Sequence, residues 1–141
     1  MKKLVFILLI AVIATTSCSP KLSPDYNWGN QRWVLTELKS VPVQLSGTRK
    51  DAFIEFSPTE KRFTGNGGCN RINGNYELRN DKISLGEVIS TKMSCEDVSF
   101  ETTFLNTLAD VNKYEVQGNA LLLKHNKDVI LKFESRNRPN Q

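Results

Sequence analysis

Histidine is almost absent from this chain: one residue, His125, in 141. Cysteine is scarce as well, with three residues. Together these two scarcities exclude most catalytic chemistry. A Ser-His-Asp or Cys-His set would have to be built on His125, which falls in the polar turn His125-Asn126-Lys127-Asp128 and reads as a solvated loop residue. Zinc needs more ligands than two cysteines and a distant histidine supply. A surplus of charge is missing too. The formal net charge is +4, and without Lys2 and Lys3 it falls to 17 basic against 15 acidic residues. That is too weak to make nucleic acid the natural partner. No apolar run is long enough to span a bilayer, which takes about 20 residues. The longest, Leu4 to Ala14, has eleven. The size fits one domain of ordinary dimensions.

That short run has its own meaning. Met1-Lys2-Lys3 is a basic start, the apolar stretch carries no charge, and Thr15-Thr16-Ser17 are small residues before Cys18. This is the pattern of a secretory signal peptide over residues 1–17. A cysteine at this place resembles a bacterial lipobox, in which the cysteine is acylated and becomes the new N-terminus. The departure is Thr15, where leucine is favoured. The alternative is ordinary cleavage, leaving Cys18 as a free or disulfide-linked thiol. If Cys18 is lipidated, it holds the chain on the membrane, since each buried methylene contributes about 0.8 kcal/mol. Residues 18–30 contain two prolines and no periodicity, and read as a tether. Ser19, not Asp, follows the cysteine, which points to the outer membrane of a bacterial envelope.

From Gln31 onward the pattern is that of strands. Gln31–Lys39, Ala52–Phe56, Arg62–Thr64, Gly74–Leu78, Lys82–Leu85, Val88–Met93, Tyr114–Val116, Leu121–Lys124 and Val129–Phe133 are the candidates. Asn80-Asp81 is a two-residue hairpin turn, and Gln117-Gly118-Asn119 joins another pair. One segment reads as helix, Glu96 to Asp110, with Phe100, Phe104, Leu105, Leu108 and Val111 on one stripe. Ser94 is its expected N-cap, and Glu96-Asp97 would meet the positive end of the helix dipole. Many short strands and one amphipathic helix make an α+β fold, mostly antiparallel, with the helix covering an open face or edge. Trp33 is expected in the core, and Trp28 at its edge or in the tether. Residues 135–141 read as a disordered tail.

Arg32-Trp33-Val34-Leu35, then Phe63-Thr64-Gly65-Asn66-Gly67-Gly68-Cys69-Asn70, Gly74-Asn75-Tyr76 and Ser90-Thr91-Lys92-Met93-Ser94-Cys95 occur in this order, followed by a helix containing Glu101 and Phe104-Leu105. With Leu121-Leu122-Leu123 and a last strand, the set resembles the META domain, the family of the bacterial heat-shock protein HslJ. The domain would span residues 31–134. The resemblance implies a small half-open β-barrel-like sheet with one helix. It implies no enzymatic activity and no cofactor. It also implies an envelope protein linked to stress and antibiotic tolerance, with an envelope protein or lipid as partner.

With Cys18 lipidated, Cys69 and Cys95 remain as an even pair, and in an oxidising envelope they read as a disulfide. It would pin the glycine-rich loop to the start of the helix and add roughly 3 kcal/mol in the chain-entropy model. The alternative is two buried thiols too far apart to bond. Gly65–Asn70 lacks the Lys-Ser/Thr of a phosphate-binding loop and the parallel unit of a dinucleotide fingerprint. Gly67 and Gly68 are expected to supply positive φ or a close approach to the helix. Asn70 and Asn73 are expected to cap the turn. Two other classes of function stay open. A cleft between sheet and helix would bind a small apolar molecule or lipid. An inhibitor of a lytic enzyme would use a Ser-Gly-x-x-Tyr loop, which Ser46-Gly47-Thr48-Arg49-Lys50 matches without the tyrosine.

Overall fold

The computed structural model describes residues 31–136 apart from Arg49, Glu96 and Asp97. The signal segment, Cys18, the tether, Trp28 and residues 137–141 lie outside the described residues. In chain order the elements are β1 (Arg32–Leu38), β2 (Val41–Pro42), β3 (Phe53–Ser57), β4 (Arg62–Asn66), β5 (Arg71–Arg79), β6 (Lys82–Leu85), β7 (Ile89–Ser90), α1 (Ser99–Ala109), β8 (Lys113–Gln117), β9 (Ala120–His125) and β10 (Asp128–Arg136).

All pairings are antiparallel, and eight strands close a ring: β1, β3, β4, β5, β6, β8, β9 and β10, with β10 returning to β1. The expected class, a small mostly antiparallel barrel with one helix, is the observed one. The ring is closed where a half-open one was expected. Its thinnest seam is β6–β8, a single residue pair, Lys82 with Lys113, flanked by the Tyr114 amide donating to the Asp81 carbonyl at 3.1 Å. Closure removes the exposed strand edges that an open sheet would leave. β2 pairs only with β1 and β7 only with β5, so both lie outside the ring.

Period-two alternation builds the interior. In β3, Ile54 and Phe56 are buried between half-buried neighbours, and in β5 Ile72, Gly74 and Tyr76 are buried in the same rhythm. Trp33, Phe56, Phe63, Phe104 and Phe133 belong to one core with no side-chain surface left to solvent beyond a trace. Phe56 meets Tyr76 edge-on at 5.0 Å between ring centroids, a favoured aromatic geometry. The interior is therefore filled with side chains, as is usual for a barrel of eight strands. β1 carries a bulge between Leu35 and Glu37, where Thr36 leaves the ladder and its hydroxyl donates to the Lys132 carbonyl.

The helix is shorter than its sequence pattern. It starts at Ser99, its N-cap is Val98, and no side chain caps it. Ser94 is thus not the cap. The preceding segment is held elsewhere: the Met93 amide donates to Asn70 Oδ1 at 2.7 Å, and Cys95 is tied to Cys69. Those two ties keep residues 93–95 from winding into the helix. At the other end of the chain, β10 continues through Arg136, which pairs with Arg32, while the Ser135 amide donates to the Asn119 carbonyl. Ser135 and Arg136 therefore belong to the last strand, past the expected boundary at 134.

Candidate functional site

The glycine-rich loop between β4 and β5 is fastened to α1 by one buried carboxylate. Glu101, in the first turn of the helix, is 6% exposed. Its Oε2 accepts the Asn70 amide at 2.6 Å and the Cys69 amide at 3.1 Å, and its Oε1 accepts Asn70 Nδ2 at 2.7 Å. A buried carboxylate is tolerated only with such partners. Asn70, itself buried, passes the connection on. Its Oδ1 accepts the Met93 amide and, at 3.0 Å, the Thr91 hydroxyl. Cys69 and Cys95 form a disulfide with their Cα atoms 6.5 Å apart, within the span a bridge allows. Loop, β7–α1 connection and helix are locked at one junction.

The glycines follow from that junction. A Cβ on Gly67 would lie 2.7 Å from Glu101 Oε2, so only glycine lets the loop reach the carboxylate. Gly68 has φ +115° and faces the Phe100 ring. Both roles expected of Gly67 and Gly68 are present, one each. The turn is capped by Asn66, whose Oδ1 accepts the Gly68 amide at 2.7 Å. Asn70 instead reaches across to Met93, and Asn73 sits within β5 and accepts from Arg62. The expected turn caps are therefore corrected: Asn70 is a junction residue and Asn73 a strand residue.

Beside this junction lies an open, largely apolar cleft of about 710 Å³, in the size range of small-molecule sites. One wall is Leu38, Val41, Pro42, Val43 and Ala52, from β1, β2 and the loop leading to β3. The other is Phe100 and Thr103 of α1 with Gly68 and Cys69 of the loop. Its charged residues are Lys39, Lys50, Asp51 and Glu101. Asp51 organises the loop before β3: Oδ1 accepts the Ser46 amide and hydroxyl, both at 2.7 Å, and Oδ2 accepts the Gly47 amide at 2.8 Å. Burial raises its pKa, but these bonds and the nearby Arg136 charge outweigh it and hold the carboxyl below the usual aspartate range.

The remaining sequence candidates sit apart from the cleft. His125 ends β9, is exposed, and its Nδ1–H donates to the Asp110 carbonyl at 2.7 Å. Trp33 is in the core. Among the described residues, no group of three or more His, Cys, Asp or Glu side chains is placed to hold a metal. Cys18 lies outside them. The apolar stripe expected from the sequence did not include Glu101, and its role was missed. The signal was there: Glu101 stands three residues before Phe104 and seven before Leu108, the spacing of the buried face itself.

The META domain profile matches residues 26–137. No curated protein matches the chain. Among solved structures, an NMR structure of a protein from Burkholderia xenovorans is similar, with TM-score 0.63, 23% identity, 89% of this chain and all of that one covered. A second NMR structure has TM-score 0.59 and 22% identity, with 77% and 91% covered. A crystal structure of a DUF4847 family protein from Bacteroides vulgatus has TM-score 0.56 and 16% identity, with 79% and 96% covered. At these identities the three likenesses speak for the fold alone. The profile match spans most of the chain and carries the closed eight-stranded ring, the glycine-rich loop and the helix: this chain belongs to the META domain family.

Proposed function

We propose that the chain is a non-enzymatic lipoprotein of the bacterial envelope, anchored through Cys18. In this reading its META barrel supports outer-membrane integrity and stress or antibiotic tolerance through contacts with an envelope protein or lipid. The observation that carries the reading is the N-terminal sequence: a basic start, eleven uncharged apolar residues and Cys18 after three small residues. A binding role in place of catalysis is supported by Glu101. The most buried carboxylate among the described residues is occupied by three N–H donors of the loop it fastens.

Intact mass of the mature protein, with membrane fractionation of wild type and Cys18→Ala, tests this. The expected mass is that of a chain starting at Cys18 with acyl groups added. The variant is expected in the soluble fraction with its domain folded. A variant that stays with the membrane would overturn the lipid anchor. A deletion strain indistinguishable from wild type under envelope stress would overturn the role.

The cleft favours a second reading, a module that binds a small apolar molecule. The ligand would sit between α1 and the β1–β2 hairpin, against Leu38 and Ala52 of the core.

A further inference from the structure

We propose that the cleft between α1 and the β1–β2 hairpin binds a single-chain anionic amphiphile, a long-chain carboxylate, with its tail on the apolar walls and its head between Lys39 and Lys50. This rests on the second reading above and names its ligand. The argument is charge complementarity. Four charged side chains reach the cleft. Both acids already accept hydrogen bonds from the fold: buried Glu101 from Cys69 and Asn70, and half-buried Asp51 from Ser46 and Gly47. Asp51 also lies in the field of Arg136. The formal charges of these four residues balance, but the two lysines are exposed and no ion pair among the described residues takes up either one, so the charged groups left open to a ligand are two ammoniums. Beneath them the surface is apolar, with Val41 64% exposed at its edge and the Phe100 ring opposite. An exposed apolar trough with cations at its rim matches a molecule that is apolar along its length and negative at one end. A neutral apolar molecule would leave the lysines unanswered, and a cationic one would be repelled.

Residues 31–136 close a barrel around one core, so a chain starting at Ser19 keeps the whole folded unit for solution work. The test is an NMR titration of that chain with laurate, dodecanol and dodecyltrimethylammonium, which share one tail, the two ions below their micelle concentrations and all three compared at concentrations below the solubility limit of the alcohol. Laurate is expected to shift the amides of Val43, Ala52 and Phe100 saturably. The Lys39→Ala/Lys50→Ala variant is expected to bind laurate about five- to tenfold more weakly, the effect of losing two exposed ion pairs. Val41→Asp is expected to remove binding while the fold persists, because Val41 is exposed. Equal binding of dodecanol, or tighter binding of the ammonium, would overturn the anionic assignment and leave an apolar-ligand module. Absence of cleft shifts with all three would overturn both. A chain starting at residue 31 that binds laurate much more tightly than the Ser19 chain would make residues 19–30 the occupant, which also overturns the proposal.

Discussion

Replacing Glu101 with Gln keeps the shape of the junction and removes its charge, so it isolates what the carboxylate does. The wild-type side chain accepts three bonds from donors alone: two backbone amides on Oε2 and Asn70 Nδ2 on Oε1. A glutamine has one oxygen. If that oxygen faces the two amides, its own NH2 points at Asn70 Nδ2, donor against donor. Turning the Asn70 amide over relieves that clash and creates another, because Asn70 Oδ1 is needed by the Met93 amide and the Thr91 hydroxyl. One buried donor is left unmatched in either arrangement, at about 1–3 kcal/mol, and the two surviving bonds each lose about 1 kcal/mol of charge assistance. The neutral side chain regains part of this by avoiding the desolvation of a carboxylate. The net expectation is a loss of about 3 kcal/mol.

Urea unfolding gives the measurement. With a slope of about 1–3 kcal/mol/M, the Glu101→Gln midpoint falls by roughly 1–3 M, and Tm by about 12–24 °C for a domain of this size. Glu77→Gln is the control. Its carboxylate pairs with Arg79 on the surface, 70% and 82% exposed, and the change is expected within about 0.5 kcal/mol. Hydrogen exchange locates the effect, with the Cys69 and Asn70 amides losing protection ahead of the strand amides. A Glu101→Gln protein within 1 kcal/mol of wild type, with those two amides still protected, would refute the claim that this carboxylate holds the loop to the helix.

Removing the disulfide by Cys69→Ser/Cys95→Ser is expected to lower stability by about 3 kcal/mol from a loop of 26 residues, read as a urea midpoint against the oxidised wild type. Gly65→Ala should be severe and Gly86→Ala mild: a Cβ at 65 would fall 2.0 Å from the Phe53 carbonyl, while one at 86 finds its nearest neighbour, the Asn75 carbonyl, at 3.5 Å. Thermal unfolding should separate them by at least about 2 kcal/mol, and equal losses would refute the close approach. For pH, Asp51 has a folded pKa below its ordinary 3.8, so its contribution is present above that value and disappears as pH falls through the folded value. Asp51→Asn is therefore expected to be less stable than wild type near neutrality, with the gap closing in acid. A gap that widens in acid would contradict the sign.

How much of this was legible depends on whether a feature is local. Asn80, Asn126 and Gly118 take positive φ, at 57°, 58° and 58°, and their hairpins were readable because Asn and Gly announce such turns. The Lys39-Ser40 turn has positive φ at both residues, 50° and 64°, yet neither residue type signals it. It is imposed by the pairing of Glu37 with Pro42 and Leu38 with Val41, which costs backbone strain that no local pattern reveals. β2 went unread for the same reason. The helix start was misplaced because Ser94 and the acids after it satisfy every local rule for a cap, while Asn70 and Cys69, more than twenty residues earlier, hold that segment in another path. Glu101 shows the same conflict from inside the helix. Its position on the Phe104–Leu108 face says buried and its charge says exposed. Sequence reasoning followed the charge. The structure resolves the conflict with three N–H donors from the loop, and Gly67 is a glycine because that carboxylate leaves no room for a Cβ. An acid placed on an apolar stripe is thus itself a statement that donors lie opposite. Here the Gly67-Gly68-Cys69-Asn70 run supplied them, so the two most distinctive local features of the sequence were halves of one junction. That junction also forms one wall of the cleft, through Gly68, Cys69 and Glu101, and so the residues that close the fold shape the surface available for binding.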